Sequence, residues 1–112
     1  MTAFDKLKAA LGSYKIVRKF EEKLLLGSLK LDGGRLDIRR YRVAELPRSI
    51  ENIPCVILFP NTENPPIKCG FLQMSRCLSE IAAVSHYALI VLVNRAEIIE
   101  IYRGEITIVT PR

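Results

Sequence analysis

The run YALIVLV, Tyr87 to Val93, limits this chain more than any other stretch. Between Ser75 and Ser85, Leu78, Ile81, Ala82 and Ser85 fall on one helical face, with Cys77, Val84 and Ala88 beside it. From Ala88 to Val93 the helical period is lost. An unbroken aliphatic run of that length is the pattern of a strand buried on both faces. Asn94 to Ala96 then supplies a turn, and Ile98 to Tyr102 a second strand. The core is therefore expected within Ser75–Gly104, and function on what surrounds it.

A second continuous apolar run, Cys55 to Phe59, is ended by Pro60. Asn61 to Pro66 connects it, through Ile67 to Leu72, to the helix. A strand, helix, strand order predicts a parallel pair with a right-handed crossover, Cys55–Phe59 beside Ala88–Val93. With 112 residues, 49% of them hydrophobic and 26% charged, the chain is long enough for one core. The expected fold class is α/β (α+β): a single small domain, 1–112, with a mixed central sheet flanked by helices. Residues 1–27 form its helical part and 28–112 its mixed-sheet part.

In the N-terminal part, Thr2 is placed to cap a helix carrying Phe4, Leu7 and Leu11, with Gly12 ending it. Ile16, Phe20 and Leu24, with an Arg18–Glu22 pair, predict a second helix closed by Gly27; the alternation Tyr14, Ile16, Arg18 suits a strand instead. Asp32-Gly33-Gly34-Arg35 supplies the positive-φ residues of a tight hairpin joining Leu29–Leu31 to Leu36–Val43. That second strand would set Leu36, Ile38 and Arg40 on one face and Arg35, Asp37, Arg39, Tyr41 and Val43 on the other. Pro47 and Pro54 bracket a loop containing Arg48, Ser49, Glu51 and Asn52.

Charge is divided unevenly. Residues 1–50 carry twelve Lys and Arg against six Asp and Glu, whereas residues 51–112 carry five against six. A basic half joined to a neutral, more apolar half points to an anionic partner, nucleic acid being the commonest, and to a protein partner. Met1 to Leu11 lacks the apolar segment of a signal peptide and the longest apolar run is too short to span a bilayer, so no membrane association and a cytoplasmic location are expected. Cys55, Cys69 and Cys77 are odd in number and lack CxxC spacing, which reads as small buried thiols rather than a zinc site or disulfide framework.

Chemistry is sparse. The single His86 follows the core helix and reads as a capping side chain. There is no GxGxxG, P-loop or GxSxG, and no cofactor or small-molecule substrate is expected. A metal-dependent endonuclease of the restriction-endonuclease or Holliday-junction-resolvase type would use Asp37, with Glu22 as companion, because two carboxylates hold Mg²⁺. The next strand, Cys55–Phe59, offers neither carboxylate nor lysine, so no metal site is assigned. A non-enzymatic interaction protein is a further alternative.

In LKLDGGRLDIRRY, IPCVILFP, SEIAAVSHYALIVLVN and IIEIYRG, about residues 28–104, the chain resembles the nuclease-like C-terminal domain of archaeal tRNA-splicing endonuclease subunits. Members that cleave RNA use a Tyr, a His and a Lys without metal. The resemblance places the Tyr at Tyr41, a vestigial candidate here. The segment before Cys55 (Ser49, Ile50, Glu51, Asn52) holds no His, and the segment at Tyr87, Ala88 and Leu89 no Lys. The implied role is that of a non-catalytic structural subunit, pairing with a catalytic subunit and helping to bind precursor tRNA. The family's acidic docking turn corresponds to Asn94–Glu97, where only Glu97 is acidic.

Candidate phosphate contacts are Arg35, Arg39, Arg40, Arg42 and Arg48, since that role needs charge and reach but no base reading. The candidate subunit interface is Glu97 with the terminal hairpin. Ile99 and Ile101 occupy one strand face, Ile98 and Tyr102 the other, and Ile106 and Ile108 continue on the next strand. An edge hairpin with large apolar side chains on both faces invites pairing with another chain.

Overall fold

The structure, a computed structural model, describes residues 1–46 and 51–112. Thr2 caps α1 (Ala3–Leu11) as expected: its Oγ1 accepts from Asp5 N, and Asp5 Oδ2 accepts in return from Thr2 N. Leu7 and Leu11 are buried, and Gly12 ends the helix at φ 76°. The region after it holds both elements anticipated as alternatives, strand β1 (Lys15–Ile16) and then helix α2 (Lys19–Ser28). The apolar residues whose spacing marks the helix do not form its inner face. Phe20 and Leu24 are 72% and 61% exposed, while Leu25 and Leu26 turn toward the core. Arg18 reaches Glu21, at 4.0 Å, in place of Glu22.

The Asp-Gly-Gly hairpin forms as β2 (Leu31–Asp32) and β3 (Arg35–Leu36), with Gly33 and Gly34 at φ 63° and 82°. Its second strand is shorter than expected. Asp37 N donates to Lys30 O and Arg40 N to Asp37 O, so the chain turns between Asp37 and Arg40. It resumes as β4 (Tyr41–Val43), which belongs to a different sheet. The turn breaks the anticipated alternation: Leu36 and Tyr41 are both buried and Ile38 is exposed.

The main sheet adds β5 (Pro54–Leu58), β6 (Ile67–Gly70), β7 (Tyr87–Leu92), β8 (Ile98–Tyr102) and β9 (Glu105–Pro111). Its order is β1-β6-β5-β7-β8-β9-β4, and every pairing is antiparallel. This corrects the mixed sheet and the parallel crossover. The unanticipated strand β6 folds back on β5, so the chain has already reversed before its helices begin, and β7 returns antiparallel to β5. The single helix expected over Ser75–Ser85 is two short ones, α3 (Phe71–Ser75) and α4 (Leu78–Val84). The fold is α+β.

Alternation through the sheet divides the core. Cys55, Ile57, Ala88, Ile90, Leu92, Ile99 and Ile101 face α1, α3 and α4. Val56, Leu58, Tyr87, Leu89, Ile98 and Val109 face α2 and the small hairpin. Ile90, fully buried in the central strand, should cost about 2–5 kcal/mol when replaced by Ala, from lost transfer energy and the cavity left behind. The same change at Ile106, 50% exposed, should stay within about 0.5 kcal/mol. Urea unfolding of the two variants checks the contrast.

Candidate nucleic-acid interface

The second sheet face carries a polar cluster where β7 and β8 meet the small hairpin. In the register of β7 with β8, Tyr87 lies opposite Tyr102, and Glu100 shares their face because alternate residues of β8 point the same way. Tyr87 OH accepts from Leu36 N at 2.9 Å and donates to Glu100 Oε2 at 2.7 Å. Arg35 reaches down from β3, with Nη2 3.4 Å from Glu100 Oε1 and its guanidinium 3.8 Å from the centre of the Tyr102 ring. Burial, followed by the hydrogen bond to Glu100, pushes the Tyr87 hydroxyl above the usual phenol range. These contacts fasten the hairpin to the sheet, and Lys30 N donating to Tyr41 OH at 3.0 Å adds a fourth attachment.

Beyond the clamp the chain emerges basic. Arg40 and Arg42 are exposed on the turn and on edge strand β4. Neither forms an ion pair among the described residues, and Arg42 Nε only approaches Thr110 Oγ1 at 3.4 Å. Arg112 joins them, its Nε donating to Tyr41 O at 3.0 Å. Beside them lies a cavity of about 310 Å³ whose lining includes Leu36, Ile38, Tyr41, Arg42, Val43 and Arg112. Glu100 lies at the same cavity.

The other arginine candidates are placed differently. Arg35 belongs to the clamp. Arg39 is held by Asp37 through Nε and Nη2, both at 3.0 Å, with Asp32 3.7 Å away. That pairing lowers the Asp37 carboxyl below the usual range and raises the Arg39 guanidinium. Arg48 lies outside the described residues. Tyr41 is buried with its hydroxyl on a backbone amide.

Asp37, the candidate metal carboxylate, spends both oxygens on Arg39. Glu22, on α2, takes no part in a metal-binding group, since no cluster of three or more His, Cys, Asp or Glu capable of holding a cation occurs among the described residues. His86 is exposed, its ring in edge contact with Tyr102 at 6.4 Å.

The hairpin of β8 and β9 is not a sheet edge, because β4 covers β9. Ile98, Ile99 and Ile101 are buried within the chain, and Tyr102 lies under Arg35. Glu97 is bound by Arg95, with Nη2 to Oε1 at 2.6 Å. Ile108 is half-buried against the first core, and Ile106 remains open beside Leu78 and Ala82 of α4.

Glu100, Tyr87 and Arg112 were missed from sequence. The available signal was Glu100 itself, an acid in IIEIY on the same face as Ile98 and Tyr102. No family model matches the chain, and no curated protein matches it.

Replacing Tyr87 by Phe removes a hydroxyl that satisfies both Leu36 N and Glu100. The expected loss is about 1–3 kcal/mol at neutral pH. A raised folded-state pKa contributes stability that is full below the unfolded value of about 10 and is lost as pH climbs past it. The difference between wild type and Y87F, measured by denaturation at neutral pH and above about pH 10, should therefore shrink at the higher pH.

Proposed function

We propose that the protein is a non-catalytic RNA-binding support, a structural subunit of a tRNA-splicing endonuclease, that presents Arg40, Arg42 and Arg112 to the phosphates of precursor tRNA. The observation that carries this reading is the exposure of Arg40 and Arg42 on a strand margin without carboxylate partners among the described residues. Guanidinium groups on a turn and its adjoining edge strand suit shape-led recognition of A-form RNA, which needs phosphate contacts rather than base reading.

The non-catalytic part rests on how the chemically capable groups are occupied. Tyr41 and Tyr87 have their hydroxyls in structural hydrogen bonds, and Asp37 is engaged by Arg39. The chemistry then comes from a catalytic partner subunit, for which the opening around Ile106, Leu78 and Ala82 is the candidate contact. A tRNA-processing role implies a cytoplasmic setting.

Fluorescence anisotropy of the full chain with a precursor tRNA across a salt series tests the assignment. Replacing both Arg40 and Arg42 by Ala should weaken binding and flatten the salt dependence by roughly 1.4–1.8 in the log–log slope, two counterion-releasing contacts being lost. Arg39→Ala should change the slope much less, because Asp37 already neutralises that side chain. Equal affinity and slope for wild type and the double variant would remove the RNA-binding role. Co-expression with a catalytic subunit followed by size determination tests the partnership separately.

A further inference from the structure

Cys55 on β5 and Cys69 on β6 face each other directly in the antiparallel register, with their sulfurs 3.9 Å apart. Phe71 N donates to Ile53 O, so the hydrogen-bonded pairs of this ladder include 55 with 69. Such a pair holds its Cα atoms about 5.5 Å apart, inside the span a disulfide bridges. Closing the sulfur separation to about 2 Å takes side-chain rotation together with a small local approach of the two Cβ atoms, which a disulfide holds roughly 3.5–4.5 Å apart.

The two thiols are not equivalent. Cys55 is completely buried, whereas Cys69 is 8% exposed and reaches the wall of a surface cleft of about 280 Å³ between Lys15, Lys68 and Gln73. Either sulfur can donate in the contact between them, and burial disfavours the thiolate at Cys55. Access therefore singles out Cys69 as the sulfur that a small oxidant meets first.

We propose that Cys55 and Cys69 are a peroxide-oxidised disulfide pair, Cys69 being the attacking sulfur and Cys55 the resolving one. The Cys69 thiolate attacks one oxygen of hydrogen peroxide. The O–O bond breaks, the departing hydroxide takes up a proton to become water, and Cys69 is left as a sulfenic acid. The Cys55 sulfur then displaces the sulfenic hydroxyl, which leaves as a second water with the Cys55 proton. The two thiols lose two electrons and the peroxide is reduced to two waters. A dithiol reductant reverses the bond by two exchanges and is itself oxidised to a disulfide. The bond ties β6, which pairs with edge strand β1 and leads into α3, to the sheet interior. The inference is independent of the RNA-binding reading.

Trypsin divides the cysteines among peptides 49–68, 69–76 and 77–95, so mapping resolves the linkage. The folded full chain is treated with hydrogen peroxide at neutral pH, alkylated in denaturant and digested. The expected product is a 49–68/69–76 pair lighter by two hydrogens than the separate peptides, reversed by dithiothreitol, with Cys77 alkylated. Cys69→Ala should abolish the linkage and leave Cys55 alkylated. Wild-type mapping alone decides the question if that variant does not fold. Alkylated Cys55 and Cys69 after treatment would overturn the proposal. So would linkage to Cys77 or between chains, sulfinic Cys69 beside a free Cys55, or a bond formed only in unfolded protein.

Discussion

Strand β7 touches both halves of the core, and most of the molecule is arranged around that double burial. Ala88, Ile90 and Leu92 pack against α1, α3 and α4, while Tyr87 and Leu89 pack against α2 and the small hairpin. A strand in this position has no solvent face, so a one-residue slip would exchange its two sets of side chains. Ala88 and Tyr87 differ greatly in volume, so such an exchange would leave a void on one face and a clash on the other. The register with β5 and β8 follows, and with it the placement of every outer strand.

Tyr87 carries that constraint from the core to the surface. Its ring belongs to the buried face, but its hydroxyl bridges Glu100 on β8 and the backbone of β3. Leaving either group unpaired in a partly buried setting is costly, which gives the hairpin one favoured position. Arg35 reinforces it by lying across Tyr102 while pairing with Glu100. The turn at Asp37–Arg40 and strand β4 extend from this anchored hairpin, so the exposed arginines project from a fixed base rather than from a free loop. In the proposed role this anchoring matters, since ordering flexible side chains on a mobile backbone weakens binding.

The sequence made the apolar strands legible and concealed their directions. β5 and β7 are visible as continuous aliphatic runs, and the β2–β3 turn announces itself in Asp-Gly-Gly. The relative direction of β5 and β7 depended on β6, whose four residues include the exposed Lys68 and follow two prolines, leaving no clear strand pattern. The inner face of α2 was hidden for a related reason. Phe20 and Leu24 have helical spacing, but only the finished sheet determines that Leu25 and Leu26 are the pair facing it. At the candidate interface Arg40 and Arg42 were legible as charge. The neutralisation of Arg39 by Asp37 and the recruitment of Arg35 to Tyr102 depend on a turn and a tertiary contact that linear spacing does not encode.

In the proposed role RNA is held at the β4 margin, on a surface fixed by the Tyr87–Glu100 clamp. Hydrogen exchange of the full chain, with and without a precursor-tRNA stem–loop, tests it most directly because it reports position as well as binding. Slowed exchange is expected over residues 38–43 and at Thr110 and Arg112, with α1 and α4 unchanged. Protection confined to α1 and α4, or none at the β4 margin under conditions where RNA is bound, would contradict it.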